Sequence, residues 1–266
     1  MKNFLWITGL IFLLCGNVYS KNTKLIKDNS YDNNIKWKFL EFNLPEGEWK
    51  LAEKSYWSVS TISIDCINFI QTENNIWKAS YDICQIKNGG KHAQLLGAWL
   101  ISYLKNDKYD NCTLRPEYFY AKLYTKGITM NCFRARHFDV YKEIYNPEDP
   151  YARGSYANFK RYINEYQITL PKTALGSTHL FFSPSIRDKG IEISHLINPE
   201  FYGAPKTLFA VETKSEYHRE NIKNYPKKLK FFSEWTKQKV NFHKEFEKKM
   251  KAKRRQKLNF DDLEIF

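Results

Sequence analysis

The chain has 266 residues, carries a formal net charge of +13 at pH 7, and is 42% hydrophobic and 17% aromatic. Its length suits one large domain or two small ones, and its hydrophobic content excludes an intrinsically disordered protein. Phe, Tyr, Lys, Asn and Ile are abundant together, as in proteins from genomes rich in A and T, so the aromatic content does not by itself indicate a stacking surface for sugars or bases.

Residues 1–20 have the pattern of an export signal. Lys2 precedes an uncharged run from Phe4 to Leu14, and Val18-Tyr19-Ser20 places smaller residues before a possible cleavage site. These features are typical of a secretory signal peptide, and the run is shorter than the about 20 apolar residues that span a membrane. We therefore predict cleavage after Ser20, a periplasmic or secreted product without a transmembrane segment, and a flexible polar leader over residues 21–35.

The remaining cysteines predict two disulfide bonds. They are Cys66, Cys84, Cys112 and Cys132. An even number of cysteines in an exported chain favours disulfides over a zinc site, for which no C-x2-4-C pair is present. We favour the pairs Cys66–Cys84 and Cys112–Cys132, since each brackets a local segment. Cys15 is an alternative lipoprotein anchor, disfavoured because the residue before it, Leu14, is not small.

Residues 36–226 predict a globular domain rich in β-strands. The segments 59–70 and 76–86 are rich in β-branched residues and flank a polar turn near Asn75, a hairpin that would place Cys66 opposite Cys84. The other predicted strands cover residues 37–44, 117–124, 128–133, 138–145, 166–170, 179–183, 191–197 and 207–213.

Two segments predict helices. Residues 91–105 have apolar side chains at intervals of three and four residues, and residues 227–257 have an aromatic stripe at helical spacing, followed by an acidic end over residues 258–266. Strands and helices do not alternate regularly, which argues against a parallel doubly wound sheet. We therefore predict an α+β fold, mainly an antiparallel sheet with one internal helix and a long basic C-terminal helix.

The C-terminal segment holds most of the excess positive charge. Residues 227–257 contain 13 basic and 3 acidic residues. Over residues 226–246 we favour a helix that packs its aromatic stripe on the sheet and leaves its lysines solvated. The densest part of the segment consists of Lys248, Lys249, Lys251, Lys253, Arg254, Arg255 and Lys257. These residues predict contact with an anionic lipid surface or an envelope protein partner, and nucleic acid is a less favoured ligand.

One pattern suggests catalysis. Glu212-Thr213-Lys214 ends a predicted strand, where Glu212 and Lys214 would share a face. With Asp188 upstream, this E-x-K arrangement is similar to that of some metal-dependent nucleases. The same pattern also occurs at residues 48–50 and 247–249, as chance produces in a chain rich in Glu and Lys.

The histidines do not form a metal-binding pattern. Ser177 and His179 would share one face of a strand, and His179 and His195 would face each other, but no G-x-S-x-G elbow accompanies the serine. Core or rim histidines are the favoured interpretation. The sequence thus predicts no cofactor or metal and a non-enzymatic exported protein with a binding or accessory role. The alternatives are a secreted hydrolase, such as a metal-dependent nuclease, and a small-ligand binder with an aromatic cleft.

Overall fold

The structure is a computed structural model. It describes residues 24–31, 34–38, 40–59, 62–88, 112, 118–126, 129–145, 159–183, 189–251 and 256–259. Several sequence predictions lie outside the described residues: the signal peptide, Cys15, the helix over residues 91–105, Asp188, Lys253, Arg254 and Arg255.

An eight-stranded antiparallel sheet forms the centre of the fold. Its strand order is β1-β4-β5-β6-β10-β9-β8-β7. These strands are β1 (Ser30–Tyr31), β4 (Trp49–Val59), β5 (Ile62–Glu73), β6 (Ile76–Asn88), β7 (Tyr118–Lys126), β8 (Thr129–Asp139), β9 (Thr173–Ser183) and β10 (Lys189–Ile197).

A smaller three-stranded sheet joins the two ends of the described chain. It consists of β2 (Ile35–Trp37), β3 (Leu40–Asn43) and β11 (Gln256–Asn259), with β3 in the middle. β2 pairs antiparallel with β3, whereas β11 pairs parallel with it and places Leu258 beside Phe42. Both of these side chains are buried in the main core.

The predicted hairpin around Asn75 is confirmed. Asn74 and Asn75 have φ values of 51° and 60°, as a tight two-residue turn between antiparallel strands requires. The resulting register places Cys66 directly opposite Cys84. Both predicted disulfides are present, and they join Cys66 to Cys84 and Cys112 to Cys132.

The C-terminal helix (Pro226–Lys251) covers one face of the large sheet. Proline suits its first position, because a backbone N–H at that position would have no intrahelical acceptor. Aromatic residues of the helix share one core with sheet residues such as Phe133 and Ile193. The helix and the sheet therefore belong to the same domain, and the predicted packing of the aromatic stripe is confirmed.

The α+β prediction is confirmed, but several boundaries differ. The helix predicted over residues 227–257 is shorter, since it ends at Lys251 and the chain returns as β11. Part of the leader predicted over residues 21–35 packs on the domain: Leu25 is buried, and β1 pairs with β4. Apolar contacts at both ends of the chain account for these differences.

Three strand predictions are wrong, and one of them, residues 166–170, contains only an isolated bridge between Thr169 and Ile76. Residues 138–145 do not form one strand, because Val140–Tyr145 is a short helix whose first turn is capped by Asp139, which accepts a hydrogen bond of 3.0 Å from the Lys142 N–H. Residues 207–213 have no strand, and Glu212–Lys214 is a single 3-10 turn. Among the described residues, no helix is both long and apolar enough to span a membrane.

Candidate functional site

The outer side of the C-terminal helix carries a series of lysines. They are all exposed and recur at intervals of three, four or seven residues. We call them the lysine row, which consists of Lys227, Lys230, Lys237, Lys244, Lys248 and Lys251. Residues at these intervals lie on one side of an α-helix, because one turn takes about 3.6 residues.

The lysine row lies opposite the buried stripe of the helix. At about 100° per residue, its centre is about 180° from the centre of the side chains that face the sheet. Those inward side chains include Phe232, Trp235 and Phe246, which are fully buried. From Lys227 to Lys251 the row extends about 36 Å, at about 1.5 Å per residue. The helix thus presents an extended cationic side that the sheet holds in place.

Within the described residues, ion pairs involve only a part of the lysine row. Lys248 pairs with Glu245 at 3.7 Å and Lys251 with Glu247, both within one helical turn. The other members of the row form no ion pair within the described part of the chain. Exposed pairs of this kind contribute little, about 0–1 kcal/mol, so even the paired lysines stay available to another anion.

The segment predicted to bind an anionic surface, residues 248–257, is not a free tail. Its first residues form the last turn of the helix, where Met250 is buried. Its last residues, including Lys257, belong to β11. Positive charge beside the last helical carbonyls also stabilises the helix itself. Of the predicted binding residues, the exposed Lys248 and Lys251 belong to the lysine row, while Lys249 is half-buried.

Two other lysines of the helix point inward and have structural roles. The Lys228 ammonium lies 3.1 Å from a carboxylate oxygen of Glu216, and both side chains are buried. Lys239 is also buried, with its ammonium 5.0 Å from the centre of the Trp235 ring. The helix therefore separates core lysines from surface lysines, a distinction that composition alone does not make.

The opposite face of the large sheet carries a band of polar side chains. Directly opposed residues on neighbouring strands share a face. One such row crosses six strands in the order β4, β5, β6, β10, β9 and β8. We call it the polar band, which consists of Glu53, Asn68, Asp82, Ser194, Thr178 and Arg134. The hydroxyls of Thr178 and Ser194 are 3.2 Å apart. Acidic residues occupy the β4–β6 end of the band, and an arginine occupies the β8 end.

Asp82 is the most perturbed acid of this band. Burial, as the largest cause, and the negative charges of Glu192 and Glu53 together raise its pKa to about 7. Its carboxylate and the sulfurs of Cys66 and Cys84 lie within 4.8 Å of one another. The two sulfurs are bonded to each other in the disulfide, so they are not available as metal ligands.

A second polar cluster lies beneath the C-terminal helix. The Nδ1 atoms of His179 and His243 are 3.3 Å apart, and the other ring nitrogen of His179 is 3.3 Å from the Ser177 hydroxyl. His195 lies opposite Ser177 rather than opposite His179. All four side chains are buried, which fits the interpretation of core histidines and leaves Ser177 out of reach of a substrate.

The predicted nuclease residues are not brought together as expected. Glu212 and Lys214 belong to a 3-10 turn, where residues two apart do not share a face as they do in a strand. The Glu212 carboxylate lies 3.9 Å from the Lys142 ammonium, and its backbone carbonyl is 3.3 Å from a ring nitrogen of His137. These contacts give Glu212 a structural role between the turn and the end of β8.

Neither a protein-family model, nor a curated protein, nor a solved structure matches this chain significantly. The geometry of the lysine row and of the polar band is therefore the basis for a functional proposal.

Proposed function

We propose that this is an exported binding protein that contacts an anionic lipid surface through its lysine row. The observation that carries the proposal is the position of this row, directly opposite the buried aromatic stripe on a rigid helix. A cationic side that extends over about 36 Å matches an extended anionic surface better than it matches a small ligand. The two disulfides fit the oxidising compartment that export implies.

The contact would be electrostatic and would not insert into the bilayer. The aromatic side chains that an interfacial helix would bury in lipid are already packed on the sheet. Each lysine near an anionic membrane contributes about 1 kcal/mol. The six lysines of the row are thus sufficient for reversible association, and the strength of that association should depend on the charge density of the surface.

The test replaces charge in the row without touching the core. In the triple variant Lys230→Gln, Lys237→Gln, Lys244→Gln, every changed side chain is exposed. Its binding to phospholipid vesicles that contain phosphatidylglycerol should weaken by up to about 100-fold, from about 1 kcal/mol per lysine. Cosedimentation with the vesicles measures this change. Deleting residues 248–257 is a poorer test, because it removes buried Met250 and part of β11.

A matched control separates the row from net charge. The triple variant Lys206→Gln, Lys214→Gln, Lys223→Gln removes the same charge from exposed positions outside the helix. It should retain nearly all of the vesicle binding. Equal losses in the two triple variants, or equal binding of the unmodified protein to vesicles of phosphatidylcholine alone, would refute the proposal. Binding to an acidic protein but not to vesicles would assign the row to an envelope partner.

A further inference from the structure

The Cys66–Cys84 disulfide lies in the middle of the large sheet, on the face opposite the C-terminal helix. Its cysteines face each other directly on β5 and β6, with their Cα atoms 4.1 Å apart. On the next strand, Glu192 is directly opposite Cys84. The disulfide therefore has a carboxylate side chain on one side and the apolar pair Ile64 and Ile86 on another.

Asp82 contacts this disulfide. It precedes Cys84 by two residues on β6, so both side chains project from the same face. A carboxylate oxygen of Asp82 lies 3.9 Å from the Cys84 sulfur, and both residues are half-buried. The Asp82 carboxyl group is thus placed to give a proton to the Cys84 sulfur when the disulfide bond breaks.

The surroundings of Asp82 favour its protonated form up to about neutral pH. Burial is the largest cause, followed by the charges of Glu192 on β10 and Glu53 on β4, and the pKa is raised to about 7. Its direct cross-strand neighbours, Asn68 and Ser194, are uncharged. Among the described residues packed around it, the facing charges are therefore both negative.

We propose that Cys66–Cys84 is a redox-active disulfide that exchanges with external thiols, and that Asp82 is its general acid. This activity goes beyond the binding role of the lysine row and does not depend on it. The proposal rests on the contact between the Asp82 carboxyl group and the sulfur of half-buried Cys84, while Cys66, at 9% exposed, is less enclosed than either cysteine of the other disulfide.

The exchange proceeds in two balanced steps. An external thiolate attacks the Cys66 sulfur, the bond between Cys66 and Cys84 breaks, and its electron pair leaves on the Cys84 sulfur, which takes the proton of Asp82. A second external thiolate then attacks the external sulfur of the mixed disulfide and releases Cys66 as a thiolate, which takes a proton from water. Two thiols are oxidised to one disulfide, and the protein disulfide is reduced to two thiols. Protonation of the leaving sulfur favours its departure.

The second disulfide provides a reference within the same molecule. Cys112 and Cys132 are 3% and 1% exposed. They pack in an apolar cluster with Ile86, Leu180 and Phe182. A disulfide enclosed in this way is expected to be inert while the protein stays folded.

The test follows both disulfides of the intact protein during reduction by dithiothreitol. Samples are trapped with N-ethylmaleimide and mapped by peptide mass. We expect Cys66–Cys84 to open at least about 10-fold faster than Cys112–Cys132, because its sulfurs are less enclosed and the Cys84 sulfur has a proton donor beside it. If the first disulfide opens no faster than the second, the proposal is wrong.

The role of Asp82 has its own readout. The variant Asp82→Asn keeps the shape of the side chain but supplies no acidic proton. The readout is the ratio of the wild-type to the variant rate of opening of Cys66–Cys84, in which the pH dependence of dithiothreitol itself cancels. This ratio should be about 10 at pH 5.5 and fall toward 1 above pH 8, with an inflection near the pKa of Asp82. Glu192→Gln removes one of the two negative charges and should move the inflection to lower pH. A ratio that does not change with pH would leave Asp82 no part in the chemistry.

Discussion

At the scale of single residues, the buried charges of this protein are held by specific partners. The Glu216 carboxylate accepts hydrogen bonds from the Leu208 N–H at 2.8 Å and from the Lys228 ammonium at 3.1 Å. Burial alone would raise the pKa of Glu216, but backbone N–H donors and the Lys228 ammonium outweigh burial and lower it. The Lys228 ammonium also donates to the Lys206 carbonyl at 2.9 Å. This pair fixes the irregular segment before the C-terminal helix to the first turn of that helix.

Removing one member of this pair should be costly. Lys228→Met leaves the Glu216 carboxylate buried without its cation, and we expect the free energy of unfolding to fall by about 3–5 kcal/mol. Adding Glu216→Gln removes the uncompensated charge and keeps an acceptor for the Leu208 N–H, so the double variant should recover at least half of that loss. Urea denaturation measures both changes, with Lys230→Met as the surface control. A double variant as unstable as the single variant would contradict this account.

The histidine pair beneath the helix makes stability depend on pH. Burial lowers the pKa of His243 to about 4. Burial also lowers the pKa of His179 well below its ordinary value, and neighbouring positive charges lower it further. In the unfolded chain both rings titrate near 6.5. The folded state therefore favours neutral rings, and their contribution to stability is complete above pH 6.5 and is lost as the pH falls toward 4.

Replacing His243 should reduce this acid sensitivity. In the unmodified protein, protonation of this one ring in the unfolded chain removes about 2 kcal/mol of stability between pH 7 and pH 5. His243→Gln does not titrate and offers His179 a hydrogen-bond partner, so the free energy of unfolding should fall by about 2 kcal/mol less over this interval. Thermal or urea unfolding at both pH values measures the difference. Lys244→Gln, its exposed neighbour, should leave the pH dependence unchanged.

At the scale of elements, local patterns predicted most of the sheet and the long helix. The hairpin around Asn75 has two strands rich in β-branched residues and a strong turn signal, so its register and the disulfide pairing followed from the sequence. The aromatic stripe of the C-terminal helix was equally clear. Both signals are local, and tertiary packing agrees with them.

One missed element is the strand β4, whose many Lys, Glu, Ala and Ser residues give a weak strand signal, and others depend on distant contacts or on a cap. β11 has four residues and exists because it pairs with β3, more than 200 residues earlier in the chain. The Val140–Tyr145 helix follows the N-cap residue Asp139, a signal that was present in the sequence but less evident than the aromatic residues around it. The polar band was not predicted, because its members come from six strands and meet only through the register.

At the scale of the whole molecule, charge is distributed unevenly between the two faces of the sheet. Residues 227–257 hold 13 basic and 3 acidic residues, whereas residues 21–226 hold 28 basic and 23 acidic residues. The lysine row lies on the outer side of the helix that covers one face, while the other face carries the acids Glu53 and Glu192 together with Arg134. An anionic surface would attract the first face more strongly than the second. The molecule should therefore bind in one orientation, with the Cys66–Cys84 disulfide directed away from the lipid.

The salt dependence of vesicle binding tests this charge arrangement. The Debye length falls from about 30 Å at 0.01 M ionic strength to about 8 Å at 0.15 M, so at low salt the whole row acts on the surface together. We expect strong binding at 0.01 M, a marked loss by 0.15 M and little binding at 1 M. The triple variant Lys230→Gln, Lys237→Gln, Lys244→Gln should show a shallower dependence on salt, because fewer charges are screened. The control triple variant should follow the unmodified protein, and equal salt dependence in both triple variants would mean that net charge, rather than the lysine row, holds the protein at the surface.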